Sequence, residues 1–110
     1  MHLGELSPTE QSVLAALIGH LIRVDGQLSD DEIDAMSKVA SEMGQEQWRT
    51  AFRAVHGKYR TTKDVLAFAE SVVRNNARTK IQSVLADVAA SDWLDAKEAN
   101  FLGALANRWR

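Results

Sequence analysis

Val24-Asp25-Gly26-Gln27-Leu28-Ser29-Asp30-Asp31-Glu32 reads as one helix ending and another beginning. Before it, Val13, Leu14, Leu17, Ile18, Leu21 and Val24 recur at three- and four-residue spacing, which predicts a helix with one buried stripe. Asp25-Gly26 breaks that helix, because glycine takes the positive φ of a helix end at little cost. Ser29-Asp30-Asp31-Glu32 is then a capping box, in which the serine hydroxyl and the glutamate three residues later satisfy amides that have no intrahelical acceptor. Ile33, Met36, Val39, Ala40 and Met43 form the stripe of the second helix, and Gly44 is its left-handed terminator.

The same devices recur outward in both directions. Ser7-Pro8-Thr9-Glu10 places a capping serine, a proline at the first helical position and a returning glutamate ahead of the first helix. A third helix, about Gln45 to His56, presents Trp48, Ala51, Phe52 and Val55 on one side, carries a basic opposite face and stops near Gly57. Thr61 to Asp64 starts a fourth, with Val65, Leu66, Phe68, Ala69, Val72 and Val73 apolar and an end near Asn75-Asn76. The fifth runs from about Arg78 to Ala90. Asp95-Ala96-Lys97-Glu98 opens the sixth, whose Phe101, Leu102, Leu105 and Trp109 again keep helical spacing. No segment alternates with period two, so the fold class is all-α: a compact bundle of about six helices, one domain over residues 1–110.

Composition agrees with a folded, water-soluble chain: 45% apolar and 25% charged residues sit near globular averages and far from the signature of disorder. The absence of cysteine removes disulfides, thiolate nucleophiles and zinc ribbons, and leaves oxygen or imidazole for any metal. No apolar run approaches the roughly 20 residues of a membrane span, and the first residues lack the pattern of a signal peptide, so a cytoplasmic location is expected. The net charge of −2 conceals an asymmetry: residues 1–44 hold eight acids against two bases, 45–80 three against eight, and 81–110 four against three. The basic middle can attract acidic partners, or it can be an ordinary solvated helix face.

Residues Ile22 to Met43 superpose in pattern on Val88 to Trp109. In each, an apolar helix ends in a short acidic turn, a leucine (Leu28 or Leu94) anchors the turn, a capping residue follows, and a glutamate (Glu32 or Glu98) sits four residues after the leucine. Two pseudo-repeated helical hairpins result. The pattern of a helix, an Asp-Gly-x-Leu-Ser-x-x-Glu turn, a second helix and a late echo of the turn resembles the TerB-like family, named for tellurite-resistance TerB and including the TerB-like domain of DjlA-type co-chaperones. The likeness covers about Val13 to Trp109. It implies a compact helical domain with the acids of both turns on one surface, and metal binding or a stress-linked interaction at the cytoplasmic side of a membrane. By position the carry-over falls on Asp25 and Glu32, and on Asp92 and Glu98. The second turn departs from the pattern, reading Ser91-Asp92-Trp93 where Asp-Gly-x is expected.

The first turn also matches the latter half of an EF-hand loop, but Leu21 and Arg23 stand where that loop needs its first oxygen ligands, which argues against a high-affinity site of that type. What remains is a carboxylate set, Asp25, Glu32, Asp92 and Glu98, joined by Asp30 or Asp95, holding calcium or magnesium partly through water. Helix caps and complementarity to the helix dipole are the plainer explanation of the same acids. His2, His20 and His56 have no ligand spacing; His20, at the edge of the first stripe, reads as a hydrogen-bonded boundary residue. No nucleophile elbow, phosphate loop or metalloprotease motif is present, so no enzymatic activity is expected. The basic run around Arg49 and Arg53 follows ordinary amphipathic spacing in an acidic chain, so nucleic acid is not the expected partner. The chain therefore reads as a non-enzymatic binding module for a protein partner, membrane-associated or not, whose acidic turns hold a divalent cation. The alternative is a metal-free scaffold that uses the basic face of helix three, Arg49 and Arg53, with Trp48 or Trp93 as anchor.

Overall fold

Each start signal in the sequence becomes a helix start in the computed structural model, which describes residues 3–25, 30–55, 57–59, 61–90 and 96–109, apart from the side chains of 4, 22–25, 31–32, 90 and 96–98. A 3-10 turn over Leu3–Glu5 precedes α1 (Pro8–Asp25), α2 (Asp30–Met43), α3 (Gln45–Val55), α4 (Thr62–Ala69), α5 (Asn75–Ala90) and α6 (Ala96–Arg108), and no strand occurs among the described residues. The capping box of α1 forms reciprocally: the Ser7 amide donates to Glu10 Oε1 at 2.7 Å and the Glu10 amide to Ser7 Oγ at 3.2 Å. The 3-10 turn, which the sequence did not announce, buries Leu3 and Leu6 and is tied to α1 by the Gln11 side-chain amide donating to the Leu6 carbonyl at 3.2 Å.

The first helix is enclosed rather than striped. Val13, Leu14, Ala15, Ala16, Leu17 and Ile18 are consecutive and all buried, so no face is left for solvent over that stretch. α1 is accordingly the axis of the molecule, packed on α3, α4, α5 and α6. On the α3 side the contact is made by small residues, Ala15 and Ala16 against Ala51 and Val55. Small side chains bring the two helix backbones close, and the bulky Trp48 and Phe52 have no room in that seam. They are half-buried at its margin rather than in the core, as the third stripe had implied.

α2 and α3 share a one-residue hinge. The Gly44 amide donates to the Ala40 carbonyl at 2.9 Å, closing α2, while its own carbonyl accepts from the Trp48 amide at 2.9 Å, opening α3. Its φ of 106° is the left-handed conformation anticipated for a terminator. Gly57, with φ 76°, likewise follows the end of α3.

α4 ends at Ala69, well before the expected Asn75-Asn76, and α5 begins at Asn75 rather than Arg78. No glycine or proline marks this break; tertiary contacts make it. The chain tightens through amide donations from Glu70 to Ala67, Ser71 to Phe68 and Val72 to Ala69. Side chains then add donors to this turn: Trp109 Nε1, 40 residues on, donates to Ala69 O at 3.0 Å beside the Val72 amide, and Arg78 Nε, six residues on, to Val72 O at 2.7 Å. Val72 is buried by this turn and Val73, placed with it in the stripe, is 75% exposed.

Among the described residues Glu10 is the buried carboxylate, 4% exposed, and Arg74 closes on it with Nε donating to Oε2 at 2.8 Å. The Arg74 guanidinium, together with the Ser7 cap, outweighs the opposing effect of burial and holds the Glu10 carboxyl down at about 2. A carboxyl lowered in the folded state contributes stability that is present above its unfolded value of 4.5 and is lost as pH falls toward about 2. Glu10→Gln keeps a capping acceptor and removes the charge. Because Arg74 is more than half exposed, solvent screening reduces the effect, and the variant is expected to lose about 2 kcal/mol in urea melts at neutral pH. That difference from wild type shrinks to near zero as melts are repeated from about pH 5 down to about pH 2. Gly44→Ala, which forces a side chain into positive φ, is expected to cost about 1–2 kcal/mol by the same melts.

Candidate functional site

The direction of the helices decides where the two acidic turns lie. Glu10, at the start of α1, pairs with Arg74, just ahead of α5, so these two helices begin at the same end of the bundle. Arg78, in the first turn of α5, donates to the Trp109 carbonyl at 3.4 Å and stacks its guanidinium 5.7 Å from the Trp109 ring, so α6 finishes at that end. The far end is fixed by His20 of α1, whose ring stands 4.8 Å from that of Phe101 near the start of α6. The end of α1 and the start of α6 are therefore neighbours, and α2 starts five residues beyond the last residue described in α1. α1 packs on α6 and α2 on α5, the two contacts that an exchange of the hairpins would interconvert, as the internal repeat implies.

Within this frame Asp25 is the last residue of α1, five residues beyond His20, and Glu98 lies in the first turn of α6, three residues before Phe101. Glu32 lies in the first turn of α2, and Asp30, which opens that helix, is exposed. The end of α1 and the starts of α2 and α6, which carry Asp25, Glu32 and Glu98, thus lie at one end of the bundle. The side chains of Asp25, Glu32 and Glu98, and Asp92 and Trp93 altogether, lie outside the described residues. Among the described residues no three His, Asp or Glu side chains stand together as a metal-holding group. His20 is buried as a boundary residue, its Nε2 at 2.9 Å from Thr62 Oγ1, and so serves to join α1 to α4 and α6.

A second region lies on the outer side of the α2–α3 pair. Trp48 and Phe52, four residues apart, pack ring to ring at 5.7 Å and with Gln45, Arg49 and Arg53 line a trough of about 500 Å³. Trp48 is also the wall of a neighbouring trough of about 470 Å³ that runs along α2 past Ile33, Met36 and Ala40. Ile33 is 43% exposed, although the sequence placed it in the stripe of α2. The C-terminal half of that stripe, Val39, Ala40 and Met43, is buried; the N-terminal half, Ile33 and Met36, overhangs the core. Arg49 and Arg53 are exposed and neither has an acidic partner among the described residues.

This arrangement brings Arg49 and Arg53 together with Trp48, as the alternative reading of the sequence expected. Ile33, Met36 and Gln45 were not singled out there. A stripe of five apolar positions on a charged fourteen-residue helix, next to a second amphipathic helix, was the available signal that one edge would remain uncovered.

Comparison with known proteins gives one result. The sequence model of a family described as tellurite resistance protein TerB matches residues 6–108, nearly the whole chain. No curated protein and no solved structure gives a significant match. No helix among the described residues is long and apolar enough to cross a membrane.

Arg49 and Arg53, exposed and without acidic partners among the described residues, add little to folding stability. Charge reversal of both, Arg49→Glu with Arg53→Glu, is expected to leave stability within about 1 kcal/mol of wild type in urea melts, whereas Trp48→Ala, which empties the margin of the α1–α3 seam, lowers it by more.

Proposed function

The chain belongs to the TerB family, and from that premise we propose that it is a non-enzymatic binding module of the cytoplasm, engaging a protein partner in a stress or tellurite-resistance response, with a divalent cation held at its acidic end. The observation that carries the cation is the meeting of helix ends: the close of α1, the start of α2 and the start of α6 lie at one end of the bundle, and each bears an acid of the nominated set. The donor chemistry fits a hard cation. Without cysteine, and with carboxylates from two turns, the set offers oxygen alone, which suits calcium or magnesium and not the softer metals. Asp25, Glu32, Asp92 and Glu98 would hold it.

Charge balance explains what such an ion would supply. Acids in the first turns of α2 and α6 are individually favoured by the helix dipoles, but Asp25 stands at the C-terminal, negative end of α1. Gathering it with the others raises mutual repulsion, which a cation relieves while cross-linking the two hairpins. The protein-partner part of the reading is supported separately by the exposed apolar and arginine-bearing face of α2 and α3, which needs no metal.

Calorimetric titration of chelator-stripped protein with calcium, then magnesium, tests the cation. The expected result is saturable binding, a folded state stabilised by about 2.7 kcal/mol at a hundredfold excess over Kd, and loss of both in Asp25→Asn with Glu32→Gln. Absence of heat and of any melting shift at millimolar ion would leave these acids as helix caps and overturn the cation reading.

A further inference from the structure

We infer that the troughs on either side of Trp48 receive an acidic amphipathic helix of a partner protein, its apolar side over Trp48, Phe52, Met36 and Ile33 and its carboxylates against Arg49 and Arg53. The inference deepens the binding-module reading by naming the class of partner, and it does not depend on a cation.

Shape comes first. The lining residues of α3 fall at 45, 48, 49, 52 and 53, one helical stripe, and those of α2 at 33, 36, 37 and 40, another. Two stripes meeting at a hinge of one residue, Gly44, make an elongated concave surface with Trp48 as its central ridge. This is the form into which an amphipathic helix lays its apolar face, with anchors at i, i+3, i+4 and i+7. α3 has 11 residues, so it can lie alongside about three turns of a bound helix.

Charge selects among occupants. Arg49 and Arg53 are one helical turn apart on the rim, exposed and without acidic partners among the described residues, so they present two guanidinium forks at the spacing of carboxylates at i and i+4 on a facing helix. A second copy docking with its α3 over the first copy's α3 would bring these like charges together across a two-fold axis, which opposes self-association in that arrangement. An anionic bilayer would meet a concave surface flanked by the exposed carboxylates of Asp34 and Glu46, which favours a helix able to place its own acids only on the arginine side. The partner's other rim, over Asp34, is then neutral or basic.

The test uses the full chain in chelator, which keeps any cation out of the result. A fluorescent peptide of about 14 residues with leucines at i, i+3, i+4 and i+7, glutamates along one flank of that stripe and alanines along the other is titrated at low salt, beside its twin with lysines for glutamates. The expected result is at least about tenfold tighter binding of the glutamate peptide, weakening with salt, with amide shifts in the NMR spectrum confined to α2 and α3. Arg49→Glu with Arg53→Glu, which leaves the core untouched, inverts the preference, and Trp48→Phe weakens both peptides. Equal affinity for the two peptides, shifts centred elsewhere, no binding at millimolar peptide, or a concentration-dependent dimer that the peptide does not disrupt would each overturn the inference. So would binding to phosphatidylglycerol vesicles through this face without discrimination between the peptides. None of these outcomes bears on calcium or magnesium binding, so the two readings fail separately.

Discussion

The enclosure of α1 is the constraint on which the rest of the structure depends. Six consecutive buried residues, Val13 to Ile18, cannot be covered by one neighbouring helix, and the four helices packed around them are what a fully apolar segment of that length demands in water. The ends of α1 follow from this burial. Amides at a helix start need acceptors, and with the core so close these are the Ser7 hydroxyl and the Glu10 carboxylate, the latter held by Arg74 from across the bundle. One charged residue thus caps the central helix and sets the start of α5 beside it.

The same enclosure explains why the molecule has an outward apolar face at all. α1 offers α3 only Ala15 and Ala16, and α3 answers with Ala51 and Val55. A seam of small residues gains close packing along its length but cannot accommodate an indole or a phenyl ring. Trp48 and Phe52 are therefore left at its edge, half-buried and resting on each other. The short hinge at Gly44 keeps Ile33 and Met36 of α2 near them. The candidate docking face is a consequence of how the core is made.

Much of this was legible in the sequence because it is local. Ser7, Thr61 and Gly44 each do at their helix ends what their side chains, or the lack of one, dictate, and Thr61 Oγ1 accepts from the Asp64 amide at 3.1 Å. The end of α4 was not legible, since Glu70 to Arg74 contains no breaker and carbonyls of the turn there accept from the side chains of Trp109 and Arg78. Trp109 comes from 40 residues away, beyond any local window, and Arg78 from six. The face at Trp48 was half legible: helical spacing placed Arg49 and Arg53 beside it, but the same spacing assigned Trp48, Phe52 and Ile33 to the interior. Periodicity reports which side of a helix is apolar, not whether a neighbour is present to cover it. The internal repeat implied that like helix ends lie together, and the contacts at Glu10, Arg78 and His20 place the end of α1 beside the start of α6.

Among the described residues, the bases of the middle of the sequence divide into two populations that composition alone merges. Arg74 is committed to Glu10, Arg78 to the Val72 and Trp109 carbonyls, and Lys80 to Glu5 at 2.7 Å. These are the bases at the start of α5, and they hold the fold together. Arg49, Arg53, Lys58 and Lys63 are exposed and make no ion pair among the described residues. A positive charge that has no acid to meet within its own chain costs little in water, but its field reaches about 8–10 Å at ordinary salt and biases which surfaces approach. The solvated-face explanation therefore covers the lysines. It is weaker for the arginine pair of α3, which lines a trough with the half-buried Trp48 and Phe52, because burying rings and pairing guanidinium groups in one step is what sets a recognition surface apart from an ordinary charged helix.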